Sequence, residues 1–346
     1  MMKSKLMLLS VAFMAMTVTG CNNQQSKEPE KDPNEVSVFL LSGQSNMEGN
    51  SSSSKSDLSK AFTDLGFEDY AEVAAGMKTV QTSMYCAGYG QLDHKKLDTN
   101  TQVNCTNKTE RFKGKFVDTK PGLGTSTSKM GPEFGAAYAL KDYATEERPI
   151  FFVKMASNGS GFEQSGTQYN WPVKDKNGNF PEINLYHTFA KPFLENNLKI
   201  IEDMGLKPVI KGWLWHQGES DSATEKIKVY AQRLGDMVSL FREDFASYAR
   251  NGDGQNIAFI DGMIYQGSGT QWGAQTSKDM NAAKQAFADS ADNNYLVDNY
   301  ANEEKIAANE LKPGSPGGDS MHYNTKSCVR LGMAYGKVII DNHLLD

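Results

Sequence analysis

The chain is short of the residues on which much protein chemistry depends. Its 346 residues hold only five histidines and four cysteines. The cysteine spacings fit no zinc motif, and no His/Asp/Glu set is clustered as metal ligands are. There is no Gly-rich phosphate loop and no lysine or arginine cluster of the kind that tracks phosphates. With a net charge of -6, neither nucleic acid nor an anionic membrane surface is expected as a partner. The apolar run near the N-terminus, Leu6 to Val18, is too short to span a bilayer stably. What is present is ordinary for a globular protein, with 39% hydrophobic and 23% charged residues. The length suffices for a sizeable core, in one large domain or two small ones.

Lys3 and Lys5 precede the Leu6–Val18 run, the order of a signal peptide's charged and apolar regions. The run ends in Val18-Thr19-Gly20-Cys21, which resembles the lipobox of bacterial lipoproteins. That resemblance implies a signal peptide over residues 1–21, with lipidated Cys21 as the mature N-terminus. The protein would then be exported and held by its lipid on a bacterial membrane, periplasmic or at the cell surface. Asn22 to Glu35 is polar and free of aromatics, so residues 22–35 read as a flexible tether. In an oxidising compartment Cys86 and Cys105, which bracket a polar segment, are a candidate disulfide. Cys328 falls in an amphipathic pattern and reads as a buried small hydrophobe.

Beyond the tether, Val36 to Leu41 is an apolar run that predicts a buried strand, and it stops abruptly in Ser42-Gly43-Gln44-Ser45-Asn46-Met47. Residues from about 50 to 128 show weak periodicity and scattered aromatics. They read as an elaborated insertion over the catalytic face of a domain spanning 36–346. From Gly131 the pattern is regular. Helices are expected at about 131–147, 187–204, 223–250, 278–290 and 326–343, with strands at 149–155, 208–215, 257–263 and 295–297. Alternating strands and helices predict a three-layer α/β/α sandwich on a central parallel sheet.

Functional groups in such folds gather at the carboxyl ends of the strands. Ser45, His216, Gln217, Glu219, Asp319 and His322 all fall just after strands or before helices. Nucleophilic catalysis by serine needs an imidazole to take the hydroxyl proton and an acid to orient that imidazole. His94, His187 and His343 have no constellation near them, which leaves His216 and His322 as bases. Asp319 stands three residues before His322, within reach of it on one loop. The competing reading has Asp319 cap the last helix and His322 lie on its surface. Glu219 is a second acid in the same region. Met47 occupies the place of the second glycine in a G-x-S-x-G elbow.

Gly43-Gln44-Ser45-Asn46-Met47, Lys129-Met130-Gly131-Pro132-Glu133, Trp215-His216-Gln217-Gly218-Glu219-Ser220-Asp221 and Asp319-x-x-His322 together resemble the blocks of SGNH-type carbohydrate esterases. The branch they look most like is the sialate O-acetylesterase-like domain shared with acetylxylan esterases. The blocks occur in the family order from about Val36 to Ile340. The resemblance implies a flavodoxin-like SGNH fold and a carboxylic ester hydrolase. Ser45 would be the nucleophile and His322 the base, oriented by Asp319 or Glu219. The oxyanion hole would comprise the Ser45 N–H, the Gly159 N–H and the Gln217 side chain. Ser157-Asn158-Gly159-Ser160-Gly161 departs from the family's usual Gly-Gly-Thr-Ser, which leaves Gly159, favoured, and Gly161 as rival donors. The mechanism so implied needs no metal or cofactor, and its partner would be an acetylated carbohydrate such as acetylxylan or an O-acetylated sialic acid. Trp171, Trp213, Trp215 and Trp272 offer sugar-stacking surfaces, although the first strand-borne pair, Trp213 and Trp215, reads as structural. The alternatives are an inactive carbohydrate-binding lipoprotein on the same fold and an esterase of lipids or thioesters.

Overall fold

A nearly continuous apolar run favours a strand covered on both faces, and Val36–Leu41, interrupted only by Ser37, lies at the centre of the sheet. In the computed structural model the described residues are 32–67, 69–87, 115–163, 169–267, 271–297 and 320–346, with the backbone alone at 86 and 87. From Asn34 onward they belong to one unit, Asn34–Asp346. Its first half contains β1 (Glu35–Gly43), α1 (Ser45–Glu48), β2 (Ser51–Ser52), α2 (Lys55–Leu65), α3 (Tyr70–Val73), β3 (Met77–Ala87), β4 (Val117–Thr119), β5 (Lys129–Met130), α4 (Glu133–Leu140) and β6 (Ile150–Ser157). Its second half contains α5 (Lys191–Asp203), β7 (Lys207–His216), α6 (Thr224–Asp244), β8 (Ala258–Gly262), α7 (Ala274–Ala288), β9 (Asn294–Val297) and α8 (Thr325–Asp341).

Seven strands form the sheet in the order β4-β3-β6-β1-β7-β8-β9. All neighbours run parallel except the edge strand β4, which is antiparallel to β3. Successive side chains of β1 point to opposite faces. Val38 and Leu40 join a core with Trp213, Trp215 and helices α5 and α6. Phe39 and Leu41 join the other core, with Leu214 and helices α4 and α8. This is a three-layer α/β/α sandwich. The pairing register sets Gly43 opposite both Ala156 and His216. The carboxyl ends of three adjacent strands therefore lie level, and the turns that follow them meet.

Several expected elements change. The stretch read as an insertion supplies β3, an eleven-residue strand paired with β6 inside the sheet, and the helix α2. Thr82 and Ser83 are fully buried there. Thr82 reaches Thr119 Oγ1 at 2.7 Å, and Thr119 donates to Val80 O at 2.8 Å. Hydroxyls satisfied in this way let a strand be buried without an apolar sequence signature. The helix expected to Arg250 stops at Asp244 and gives way to short 3₁₀ turns, where Asn251 and Gly252 take the left-handed region at φ 59° and 69°. The helix expected from His187 starts as a π-turn, Tyr186–Ala190, and becomes α-helical at Lys191, next to Pro192. The helix expected over 131–147 ends at Leu140.

Trp213, Trp215 and Trp171 are all buried, and Trp171 meets Trp215 edge-on at 4.7 Å. They are core residues, each worth roughly 1.5–3 kcal/mol by burial. Cys328 is buried too, and its surroundings push the thiol up to about 12 by desolvation. The Cys86–Cys105 pairing lies outside the described residues, as do Cys21 and the tether. Beneath the sheet's carboxyl end, Lys154 is buried and donates to Glu133 Oε2 at 2.6 Å and to Leu123 O at 2.8 Å. Glu133 Oε1 accepts from the Gly131 N–H at 2.9 Å. This pair fixes the Lys129–Glu133 block against β6.

Candidate active site

The turn after β1 is hooked to the neighbouring strand. The Gln44 N–H donates to His216 O at 3.0 Å. The Met47 and Glu48 N–H groups return to Gln44 O, and the Gly49 N–H to Ser45 O, which closes the single turn α1. Asn50 Nδ2 adds a bond to Ser45 O at 2.9 Å. As first residue of α1, Ser45 presents an N–H for which the helix offers no acceptor.

Ser45 opens onto a cavity of about 740 Å³ whose wall also includes Gln44, Asn158, Gly159, Glu219 and His322. Ser220, Ser222, Gln271, Trp272 and Met321 complete its rim. Gly159 has φ +72°, a conformation that suits glycine and turns the chain sharply after β6. Gly161 is not part of the cavity wall; a side chain there would meet the Asp221 carboxylate at 2.9 Å. Of the two rival glycines, the structure therefore places Gly159 at the cavity. Among the tryptophans, Trp272 lines it.

The two candidate bases separate clearly. His216 is fully buried, with Nε2 3.3 Å from Glu219 Oε1 and its ring 5.5 Å from that of Tyr323. His322 lies in the cavity wall with Ser45. His187 is bonded to Asn184 at 2.9 Å, away from this wall. His94 lies outside the described residues. So does Asp319; the N-cap of the last helix is Asn324, whose side chain accepts from the Ser327 N–H at 2.9 Å.

Glu219 does not reach His322. Its Oε1 accepts from Asn46 Nδ2 at 2.8 Å and faces His216, and its Oε2 has no hydrogen-bond partner. Burial works to raise this carboxyl, but the charge and hydrogen bond of His216 outweigh it and hold Glu219 down at about 2. Behind His216, burial pushes Asp261 up to about 6 against the opposing pull of Lys284, whose Nζ donates to Asp261 Oδ1 at 2.8 Å and to Gly262 O at 2.6 Å.

Gln217, expected at the oxyanion hole, is fully buried behind the cavity wall. Its Nε2 donates to Asp221 Oδ2 at 2.8 Å, with Gln44 Oε1 at 3.2 Å and Ser160 O at 3.3 Å. Its Oε1 accepts from Tyr230 at 2.8 Å. An amide has two hydrogens, and both are committed to the scaffold. Sequence reasoning gave no role to Asp221 or Asn46, although both lie in the quoted blocks. Asp221 Oδ2 also accepts from the Phe162 N–H at 2.9 Å and so holds the loop that carries Gly159; burial raises its carboxyl. Asn46 bonds both sides of His322, as described below. The signal for each was its position near a named residue, but the Asp221–Phe162 and Asn46–Met321 contacts are not local in sequence.

Among the described residues no His/Cys/Asp/Glu group is arranged to hold a metal, and no helix is long and apolar enough to cross a membrane. The sequence profile of the carbohydrate esterases known as sialic acid-specific acetylesterases matches residues 35–341. The chain belongs to that family. No curated protein matches it significantly. Among solved structures, a protein from Arabidopsis thaliana shares 17% identity at a TM-score of 0.51, covering 90% of this chain and 99% of its own. The similarity supports the fold. NanS shares 16% identity at a TM-score of 0.49, over 90% of this chain and 98% of its own. A carbohydrate acetylesterase from Xanthomonas citri shares 16% identity at 0.47, over 88% of this chain and 56% of its own. In the family's terms, the cavity holding Ser45 and His322 is the candidate acetylester site.

Proposed function

We propose that the chain is a serine esterase that removes O-acetyl groups from carbohydrate through an acyl-enzyme. The observation that carries this reading is the meeting of Ser45, Gly159 and His322 in one cavity wall, in a chain of an acetylesterase family. Ser45 Oγ attacks the acetyl carbonyl while His322 takes its proton. The C=O pair moves onto oxygen, and the Ser45 and Gly159 N–H groups receive the oxyanion, each worth roughly 3 kcal/mol where such donors are preorganised. Collapse of the intermediate breaks the ester bond, and His322 returns the proton to the leaving sugar hydroxyl. Water, deprotonated by His322, then attacks the acetyl-serine and releases acetate. Glu219 is committed to Asn46 and His216, so the role of orienting His322 directly falls to Asp319.

Trp272 and the serine-rich rim suit a sugar, with an aromatic face and hydroxyl partners. O-acetylated sialic acid and acetylxylan are the substrate classes proposed. Export and lipidation at Cys21 would place the enzyme where such glycans are met. The test is acetate release from O-acetylated N-acetylneuraminic acid, acetylated xylan and 4-nitrophenyl acetate. Release from at least one acetylated sugar, with kcat/KM above that for the phenyl ester, is the expected result. Binding of these sugars without any release would support the carbohydrate-binding alternative instead.

A further inference from the structure

We infer that Asn46 is the positioning residue that sets His322 against Ser45, and that Glu219 acts on the base through it; this rests on the esterase reading above. Asn46 is buried beside the nucleophile, on the same turn. Its Nδ2 donates to Glu219 Oε1 at 2.8 Å and to Met321 O at 3.2 Å, and its Oδ1 accepts from the Tyr323 N–H at 3.0 Å. Each of these partners requires the amide in one orientation. A carboxylate and a carbonyl can only accept, and a backbone N–H can only donate.

The position of the two backbone groups matters. Met321 O belongs to the peptide plane before His322, and the Tyr323 N–H to the plane after it. Peptide planes are rigid, so the two dihedrals of His322 set how these planes are disposed about its Cα. One side chain holds both planes and thereby fixes the direction in which the imidazole leaves the backbone. The residue that does this is next to Ser45 in the chain, so the nucleophile and the base are referenced to one another rather than to separate parts of the fold. Ser51 Oγ, donating to Tyr323 O at 2.8 Å, and Thr325 Oγ1, donating to Ser52 O at 2.9 Å, fasten the loop farther along.

Glu219 keeps the Asn46 amide from rotating. Held at 2.8 Å from Nδ2 and 3.3 Å from His216 Nε2, its carboxylate would be repelled by Asn46 Oδ1 if the amide flipped. The acid of this block thus acts on the base through an intervening amide.

The test compares wild type, Asn46→Ala, Asn46→Asp and the double variant Asn46→Asp/Glu219→Gln. Asn46→Ala is expected to lower kcat by about 10²-fold, the effect of a reacting group displaced by about 1 Å, with KM within about 2-fold and Tm shifted little. Amide exchange over residues 320–324 should accelerate in the same variant, a readout that needs no turnover. Asn46→Asp sets two carboxylates together and should be at least as impaired. Adding Glu219→Gln restores a donor between positions 46 and 219 and should recover about 10-fold in kcat. Unchanged exchange over 320–324, a kcat within about 2-fold of wild type, or no recovery in the double variant would overturn the inference while leaving the esterase intact. Wild type that is inactive, or active without Ser45, would overturn the esterase reading and the inference with it.

Discussion

Ser45→Ala is expected to reduce kcat for O-acetyl hydrolysis by on the order of 10⁵-fold or more, the scale seen when a serine nucleophile is removed from an intact site. The loss should appear in kcat, with binding of the acetylated sugar retained, because the cavity wall and its donors remain. The fold should not notice. Ser45 sits at the first position of a turn held by the Gln44 and Gly49 N–H groups and the Asn50 side-chain amide, and none of these bonds involves its hydroxyl. Thermal unfolding of Ser45→Ala should therefore match wild type within a few degrees. Initial rates with purified protein, alongside a melting curve, check both halves.

Gly43→Ala is expected to have the largest effect on folding. Gly43 has φ +143° and lies so close to β7 that an added Cβ would meet His216 O at 2.0 Å and His216 C at 2.6 Å. These are backbone atoms of a central strand and cannot rotate away. The same peptide of β7 accepts the Gln44 N–H, so any retreat would also break the hook that starts the catalytic turn. The strain adds backbone cost to steric cost, together more than about 3 kcal/mol, a large part of the whole stability of a domain. Poor soluble yield, or a Tm lowered by ten degrees or more, is the expected result. A soluble variant with wild-type Tm would mean that the β1–β7 crossing is looser than described.

What was legible in the sequence follows from how far each signal reaches. Val36–Leu41, the Pro208–Trp215 run and the helix around Cys328 announce themselves by local periodicity, and each stands close to where it was expected. β3 did not, because a buried threonine satisfied by the neighbouring strand looks like a loop residue in one dimension. The region read as an insertion consequently holds part of the sheet. Ser45 and His322 could be named because one follows a strand and the other precedes a helix, whereas Gly159 was named through the family resemblance alone. The direction of Gln217 was not legible: whether its amide faces the cavity or Asp221 depends on Tyr230, on a helix that packs there only in the fold. Asn46 and its partner Met321 are 275 positions apart, and no spacing rule connects them.

The most direct test of the account is to quench the enzyme during turnover of an acetyl ester, digest it, and weigh the peptide that carries Ser45. The account predicts that this peptide gains the mass of one acetyl group, that the gain decays once substrate is exhausted, and that it is absent in Ser45→Ala. Sustained acetate release with no acetyl on Ser45, or with the acetyl on another residue, would contradict it.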